Sequence, residues 1–395
     1  MPISDDEMCA YLKLPAGQQP DWGDRWLVNE VMADIAALPE LVSWKEVRQL
    51  RSLLAEAAYG RLLIVQAGDC AEDLVSGTAD KVSRKVGLLH ALAGVLQLHS
   101  GLPVIRVGRI AGQFAKPRSR PTERVGDVEL PVFRGLIVNA PEPESTARRP
   151  DPLRLLAGHR AARETVRALR WRADAWTPLP EPPVWTSHEA LLLDYELPQL
   201  RRSEDGRTLL TSTHWPWIGE RTRDPEGAHV RLLADLVNPV ACKVGPECDP
   251  DTLLRLCERL DPRREPGRLT LIARFGAGRA PGRLSGLVSA VRAAGHPVIW
   301  MCDPLHGNTV TAPSGVKTRT VSAIAQELGE FLTEVHRGRG VAGGLHLETT
   351  PEDVVECVAD PSAVARAGRD GAYTTLCDPR LNSRQALDVA AHWLP

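Results

Sequence analysis

Long apolar runs are missing from this chain: no stretch approaches the roughly 20 residues that a membrane-spanning helix needs, so an integral helical membrane protein is excluded. The opening residues, MPISDDEMCAYLKLP, carry acids where a secretory leader would carry a basic segment and an apolar core, which predicts a cytoplasmic protein. Aromatics are scarce, 5% of 395 residues, and are not interleaved with basic runs, which argues against stacking on nucleic acid. The formal net charge is only −2, so no global field draws in a polyanion or an anionic membrane, and any anion recognition has to be local. No CxxC pair occurs among the eight cysteines (Cys9, Cys70, Cys242, Cys248, Cys257, Cys302, Cys357, Cys377), which read as reduced and mostly packed thiols. There is no GxxxxGK[ST] loop, no GxGxxG turn after a strand, no GxSxG elbow and no HExxH helix, since His188-Glu189 lacks the second histidine.

What is present is a repeating organisation. Short branched runs ending in polar clusters occur at 62–70, 102–109, 183–189, 207–214, 239–245, 269–276, 297–304 and 343–349, and each has the character of a strand buried on both faces. Between them lie helical segments. Val82, Val86, Leu89, Leu92 and Leu96 form one apolar stripe, Asp249-Pro250 caps and opens a helix, Gly282 to Ala294 ends at Gly295, and Ser322 to His336 is another helix. Eight strand–helix units predict an α/β fold, a (β/α)8 TIM barrel over 59–395, with residues 1–58 as an N-terminal extension. An open doubly wound sheet is the alternative. Residues 113–150, rich in proline and charge, are expected to form a long loop over the barrel mouth.

In such a barrel, chemistry sits at the carboxyl ends of the strands. Cys70, His306, Glu348 and Asp378 all fall there or just beyond, and one thiolate, one imidazole and two carboxylates suit Mn²⁺, Co²⁺, Fe²⁺ or Zn²⁺ better than Mg²⁺ or Ca²⁺. His346 is two residues from Glu348 on the same strand, so the two share a face. Cations gather at the same end: Arg109, Lys116, Arg118, Arg221, Arg223, Lys243, Arg274, Lys317 and Arg319. Lys243 and Arg274 lie inside apolar runs and therefore need anionic partners. A mouth ringed by ammonium and guanidinium groups is a phosphate and carboxylate site.

The segments PAGQQPDW, QAGDCAE, GRIAGQFAKPRS, TSHEALLLDYE, PWIGERTR, NPVACKVGP, GRLTLIARFG, DPLHGNT, GVKTR, GGLHLE and CDPRLN resemble, in this order, the motifs of class II (plant-type) 3-deoxy-D-arabino-heptulosonate 7-phosphate (DAHP) synthases, from about residue 15 to the end. The resemblance implies a divalent metal held by Cys70, His306, Glu348 and Asp378. It implies a phosphoenolpyruvate pocket of Arg109, Glu220, Arg221, Lys243 and Arg274, with Arg118, Ser119 and Lys317 near the phosphate of erythrose 4-phosphate. Lys116, Lys243, His306 and His346 are the catalytic candidates, and a metal-bound water, Lys116 or His346 is the candidate proton donor to the nascent alkoxide. A homodimer is favoured, without nucleic-acid or membrane partners.

The chain also departs from the family pattern. Leu136 and Ala140 replace an acid and a glycine in the RGD…NG segment, which raises an amino or imino analogue of erythrose 4-phosphate as an alternative acceptor, or a non-catalytic binding subunit. Arg231 replaces an acid on what is expected to be a helix surface. The short length predicts little feedback inhibition by aromatic amino acids, and STHWPWIG suggests a member feeding secondary metabolism. Cys377, next to Asp378, is expected to form a disulfide with Cys70 when metal is absent.

Overall fold

Runs of branched residues form parallel strands at Leu63–Gly68, Val104–Arg109, Trp185–Ser187, Trp217–Ile218, Val240–Val244, Leu269–Ala273, Ile299–Cys302 and Val341–Glu348, here the first to eighth strands. These come from a computed structural model that describes residues 2–75, 78–174, 181–369 and 371–394. In space they run third, second, first, eighth, seventh, sixth, fifth, fourth. A parallel bridge between Glu189 and Trp217 joins the two ends, the Trp217 N–H donating to the His188 carbonyl at 3.1 Å. The expected barrel is therefore the fold, with no reversal of strand order that would open a doubly wound sheet. Close approach of the first and eighth strands explains GGLHLE: a Cβ on Gly344, whose φ is +149°, would lie 1.9 Å from the Ile64 carbonyl oxygen.

One strand was misplaced by the sequence reading. The run at 207–214 does contain a strand, Thr208–Leu210, but it pairs antiparallel with Leu200–Arg202 outside the barrel. The turn between them contains Asp205-Gly206, with Gly206 at φ +78°, the dipeptide that favours tight hairpins. The fourth barrel strand is the two-residue Trp217–Ile218, too short to leave a periodic signal. The expected loop at 113–150 likewise contains a hairpin, Thr122–Val125 with Val128–Pro131.

The helices are α1 (Asp5–Leu12), α2 (Arg25–Ala37), α3 (Trp44–Ala58), α4 (Ala79–Ser100), α5 (Leu153–Ala173), α6 (Leu193–Glu196), α7 (Ala228–Asp235), α8 (Pro250–Leu260), α9 (Arg283–Ala293), α10 (Val321–Arg337) and α11 (Ser383–Ala391). Asp249 caps α8, accepting the Thr252 N–H at 2.8 Å. Among the described residues, no helix is long and apolar enough to cross a membrane.

Helix α3 does more than precede the barrel. Its Leu50, Leu54 and Ala57 pack with the lowest inward residues, Ile64, Ile105, Ile272, Ile299 and Met301, and close that end of the barrel. Burying one such leucine stabilises the fold by on the order of 2 kcal/mol. Because side chains alternate along a strand, the inward positions can be followed upward. Ile64 leads to Gln66, Val107 to Arg109, Ala241 to Lys243, and Met301 to Asp303. The interior thus changes from hydrocarbon at the bottom to ionised groups at the top, where the strands end.

Candidate active site

The charged upper layer centres on Glu348, which is fully buried at the end of the eighth strand. Its Oε1 lies 3.1 Å from Arg109 Nη2, from Lys116 Nζ and from His306 Nε2, and its Oε2 lies 2.8 Å from Arg319 Nη1. Burial alone would raise this carboxyl, but His306, Lys116 and Arg319 outweigh it and hold it well below the usual carboxylate range. Cys70 Sγ, a Glu348 oxygen and an Asp378 oxygen all lie within 4.8 Å of one another. Three of the four donors foreseen in the sequence therefore come together, and the fourth, His306, adjoins them with Nε2 3.1 Å from Glu348 Oε1. A mixed sulfur, nitrogen and oxygen set fits a borderline divalent ion such as Mn²⁺, Co²⁺, Fe²⁺ or Zn²⁺.

Lys116 also lies 3.3 Å from Asp378 Oδ2. Lys317 holds the other oxygen, Oδ1, at 2.8 Å. Burial disfavours the Lys116 charge, yet the facing Cys70, Glu348 and Asp378 raise it well above the ordinary lysine range, so it stands as ammonium. His346 is fully buried, with Nδ1 on Gln66 Oε1 at 2.6 Å and Nε2 on Arg109. Burial and the neighbouring Lys243 and Arg109 keep it neutral. It lines neither cleft described below; it orients Arg109, whose guanidinium lies over the Trp217 ring at 5.2 Å.

Two joined clefts open above this layer. The inner one is lined by Arg109, Lys116, Arg221, Lys243, Arg274, Glu189, Glu220, His306 and Asp378 over a floor of Trp217. The outer one shares Lys116, Arg221, Arg274, His306 and Asp378 and adds Arg118, Ser119 and Lys317. Ser119 accepts from Arg221 at 2.6 Å, which ties the two together, and Arg118 pairs with Glu123 at 2.9 Å. Every sequence-predicted substrate residue thus faces one cleft or both. Arg223 does not; it pairs with Glu220 at 2.7 Å. The partner required by Lys243 is Asp303, and Arg274, just past its strand, donates to the His306 carbonyl at 3.2 Å. Leu136 lines neither cleft, its carbonyl accepting from Arg154 at 3.1 Å, so the residue that motivated an altered acceptor is not at the mouth. A broader cleft by α1 and α7 is lined by arginines already engaged, Arg51 by Glu265, Arg231 by Asp235 and Arg202 by Glu7.

Three buried glutamates secure the loops that carry these groups. Glu72 accepts the N–H groups of Ala111, Gly112 and Gln113. Glu327 accepts those of Phe275 and Gly276 together with the Asn308 amide. Glu356 accepts those of Thr374, Thr375 and Arg380. Burial, with the Asp303 carboxylate nearby, raises Glu327 to about 7 against the pull of the Phe275 and Gly276 N–H groups and of Arg274.

Sequence reasoning missed Asp303, Glu189 and Trp217 as parts of the upper layer, and placed Arg319 among its cations without its partner Glu348. Extending the alternation from Ile299 and Met301 would have found Asp303; Trp185 and Ser187 lead in the same way to Glu189. Glu189 Oε1 is buried without a hydrogen-bond partner, and burial raises its carboxyl above the usual range.

Cys70 Sγ accepts the Asp378 N–H at 3.2 Å, and the Cys377 thiol lies beside it. All eight cysteines are free thiols. Diamide is expected to take two electrons and two protons from the Cys70–Cys377 pair of metal-free protein, closing a disulfide. Thiol titration after denaturation should count two fewer than the eight, and Mn²⁺ added beforehand should protect both. An unchanged count, or a different pair on peptide mapping, would show that the pair does not close.

Comparison with known proteins shows what the whole chain is similar to. A model of the class-II DAHP synthetase family matches residues 7–177 and 171–393. A Pseudomonas fluorescens protein named probable phospho-2-dehydro-3-deoxyheptonate aldolase is 53% identical over 390 residues, covering 98% of this chain and 97% of its own. A Streptomyces coelicolor phospho-2-dehydro-3-deoxyheptonate aldolase is 38% identical, covering 95% and 94%. Among solved structures, a truncated 3-deoxy-D-arabino-heptulosonate 7-phosphate synthase from Thermotoga maritima aligns over 84% of both chains at 13% identity and a TM-score of 0.35, too distant to carry an argument.

Proposed function

The chain belongs to the class-II DAHP synthetase family, and from that premise we propose that its clefts condense phosphoenolpyruvate with erythrose 4-phosphate and water to give DAHP and inorganic phosphate. The observation that carries this reading is the junction of two cationic clefts beside the clustered donors Cys70, Glu348 and Asp378, with His306 next to Glu348. Phosphoenolpyruvate fits the inner cleft, where Arg109, Arg221, Lys243 and Arg274 match its carboxylate and phosphate. The phosphate of the aldose fits the outer cleft at Arg118, Ser119 and Lys317.

Cys70, His306, Glu348 and Asp378 would hold the metal, which when bound supplies Lewis acidity to polarise the aldehyde carbonyl. The protein's own groups do the rest. The clefts bring two anions that would repel each other in water into one orientation, with C3 of phosphoenolpyruvate against the aldehyde carbon. The new C–C bond leaves an alkoxide, and Lys116, lining both clefts, is the ammonium placed to protonate it. Water adds to C2 of the phosphoenolpyruvate unit, and the C–O bond to phosphate then breaks with both electrons leaving on the phosphate. Following loss of phosphoenolpyruvate absorbance with erythrose 4-phosphate and added metal tests the reading, and release of equimolar phosphate is expected. Absence of turnover with Mn²⁺, Co²⁺, Fe²⁺ and Zn²⁺ alike would overturn it.

A pH dependence follows from Lys243. Burial lowers it to about 8, against the pull of Asp303. The charged form attracts the substrate, so kcat/KM for phosphoenolpyruvate should fall about tenfold per pH unit above this value, while kcat, measured with substrate bound, falls later. Lys243→Arg should carry the alkaline limb out of range. A limb unmoved by that substitution would assign it to another group.

A further inference from the structure

The guanidinium of Arg380, its side chain 11% exposed, spans from the C-terminal loop that carries Asp378 to the end of the first strand. We propose that Arg380, acting with Asp69 and Glu356, is a positioning residue that holds Cys70 and Asp378 at metal-binding spacing; this rests on the ligand set proposed above.

A thiolate and two carboxylates within 4.8 Å repel one another whenever they are ionised together, so their scaffolds have to be held by something other than the ion they bind. Cys70 is placed by the barrel, two residues past its strand. Asp378 is not on any strand or helix. Its loop is gathered around Glu356, which is fully buried and takes the backbone N–H groups of Thr374, Thr375 and Arg380 at 3.1, 2.8 and 2.7 Å. Arg380 closes that ring, its Nη2 reaching Glu356 Oε1 at 2.7 Å and its Nε reaching Oε2 at 3.0 Å. The remaining nitrogen, Nη1, crosses to Asp69 Oδ1 at 2.9 Å, linking residues 311 positions apart.

Asp69 immediately precedes Cys70, and Arg380 follows Asp378 by two residues, so this ion pair fixes the distance between two donors without touching either. Only a guanidinium forks onto two carboxylates at once; an ammonium at this position would satisfy one of them. The Asp378 N–H donated to Cys70 Sγ at 3.2 Å is the geometry that the brace maintains.

The test is a Co²⁺ titration of chelator-stripped full-length protein, read by the thiolate-to-cobalt charge-transfer band against a competing chelator. Wild type should show the band and Cys70→Ser should lack it. Arg380→Ala is expected to weaken Co²⁺ binding by about 10- to 100-fold, as loss of groups that orient metal ligands commonly does. Arg380→Lys should recover part of that loss. Asp69→Asn leaves the Arg380–Glu356 ring intact, so the loop stays folded, and it should still weaken binding by about tenfold and shift or broaden the band. A purely structural role would lower the melting temperature and leave the Co²⁺ midpoint and band alone. Wild-type midpoints and bands in folded Arg380→Ala and Asp69→Asn would overturn the brace. A missing band in wild type would instead overturn the thiolate ligand, and the brace with it.

Discussion

Cys70→Ser is expected to cut metal-dependent turnover by about a thousandfold while the barrel stays folded. The side chain is fully buried and the change is nearly isosteric, and a serine Oγ still accepts the Asp378 N–H that Cys70 Sγ now takes. What disappears is the sulfur donor. Its loss weakens the site most for the softer ions, and Lewis-acid activation of a carbonyl contributes several kcal/mol. Losing about 4 kcal/mol corresponds to about three orders of magnitude. The check is the phosphoenolpyruvate assay on stripped protein reconstituted separately with Mn²⁺, Co²⁺, Fe²⁺ and Zn²⁺, with a thermal melt alongside. Turnover equal to wild type at saturating metal would remove Cys70 from the ligand set and leave His306, Glu348 and Asp378 to hold the ion. A loss that excess Mn²⁺ restores but excess Zn²⁺ does not would place the effect in affinity and donor softness, consistent with sulfur ligation.

The fold was legible where period and punctuation were strong. Branched runs of four to eight residues betray strands buried on both faces, and seven of the eight proposed runs lie in the barrel. The eighth, at 207–214, forms a strand outside it, because hydrophobicity reports burial and not the partner. The true fourth strand needs only two residues, since Trp217 joins across to Glu189 and closes the ring with one bridge. Cys70, His306 and Glu348 were legible because each lies at or just past a strand end in a polar cluster, Asp378 through the CDPRLN segment beyond the last strand, and the cations because so many gathered at strand ends together. Asp303, Glu189 and the burial of Arg319 were hidden for a different reason. A buried charge looks in sequence like any surface charge, and only the inward phase of a particular strand distinguishes them. Arg319 is fully buried on Glu348, although GVKTR reads as an ordinary basic turn. The loop-holding roles of Glu72, Glu327 and Glu356 leave no local signature at all, because their partners are backbone N–H groups of distant loops.

Asp303→Asn should be nearly as damaging as loss of a metal ligand, although Asp303 is placed to bind neither metal nor substrate. It is fully buried at the end of the seventh strand. One carboxylate oxygen receives both Lys243 Nζ and His306 Nδ1, the latter at 2.7 Å, while the other takes the N–H groups of Leu305 and His306 at 3.2 Å. It therefore joins the phosphoenolpyruvate cleft to the metal site. An asparagine carries no charge, and whichever way its amide turns, the NH2 group faces donors: the Leu305 and His306 N–H groups on one side, or Lys243 and the His306 ring on the other. Lys243 is left beside Arg109 and Arg274 without its counter-charge, and the His306 ring loses the acceptor that aims Nε2 at the site. Breaking a buried pair costs about 3–5 kcal/mol, which here corresponds to about a 100- to 5000-fold loss in kcat/KM. Two readouts separate this from general damage. Lys243 should lose its proton at lower pH than in wild type, because Asp303 is what holds it up, so the alkaline limb moves below about 8. The Co²⁺ midpoint should weaken in the same protein. If the two losses share one cause, adding Lys243→Met to Asp303→Asn should lower kcat/KM for phosphoenolpyruvate by little more, since the pair is already broken. Fully additive losses would mean that the lysine and the aspartate act on the substrate independently, and that Asp303 serves the histidine alone.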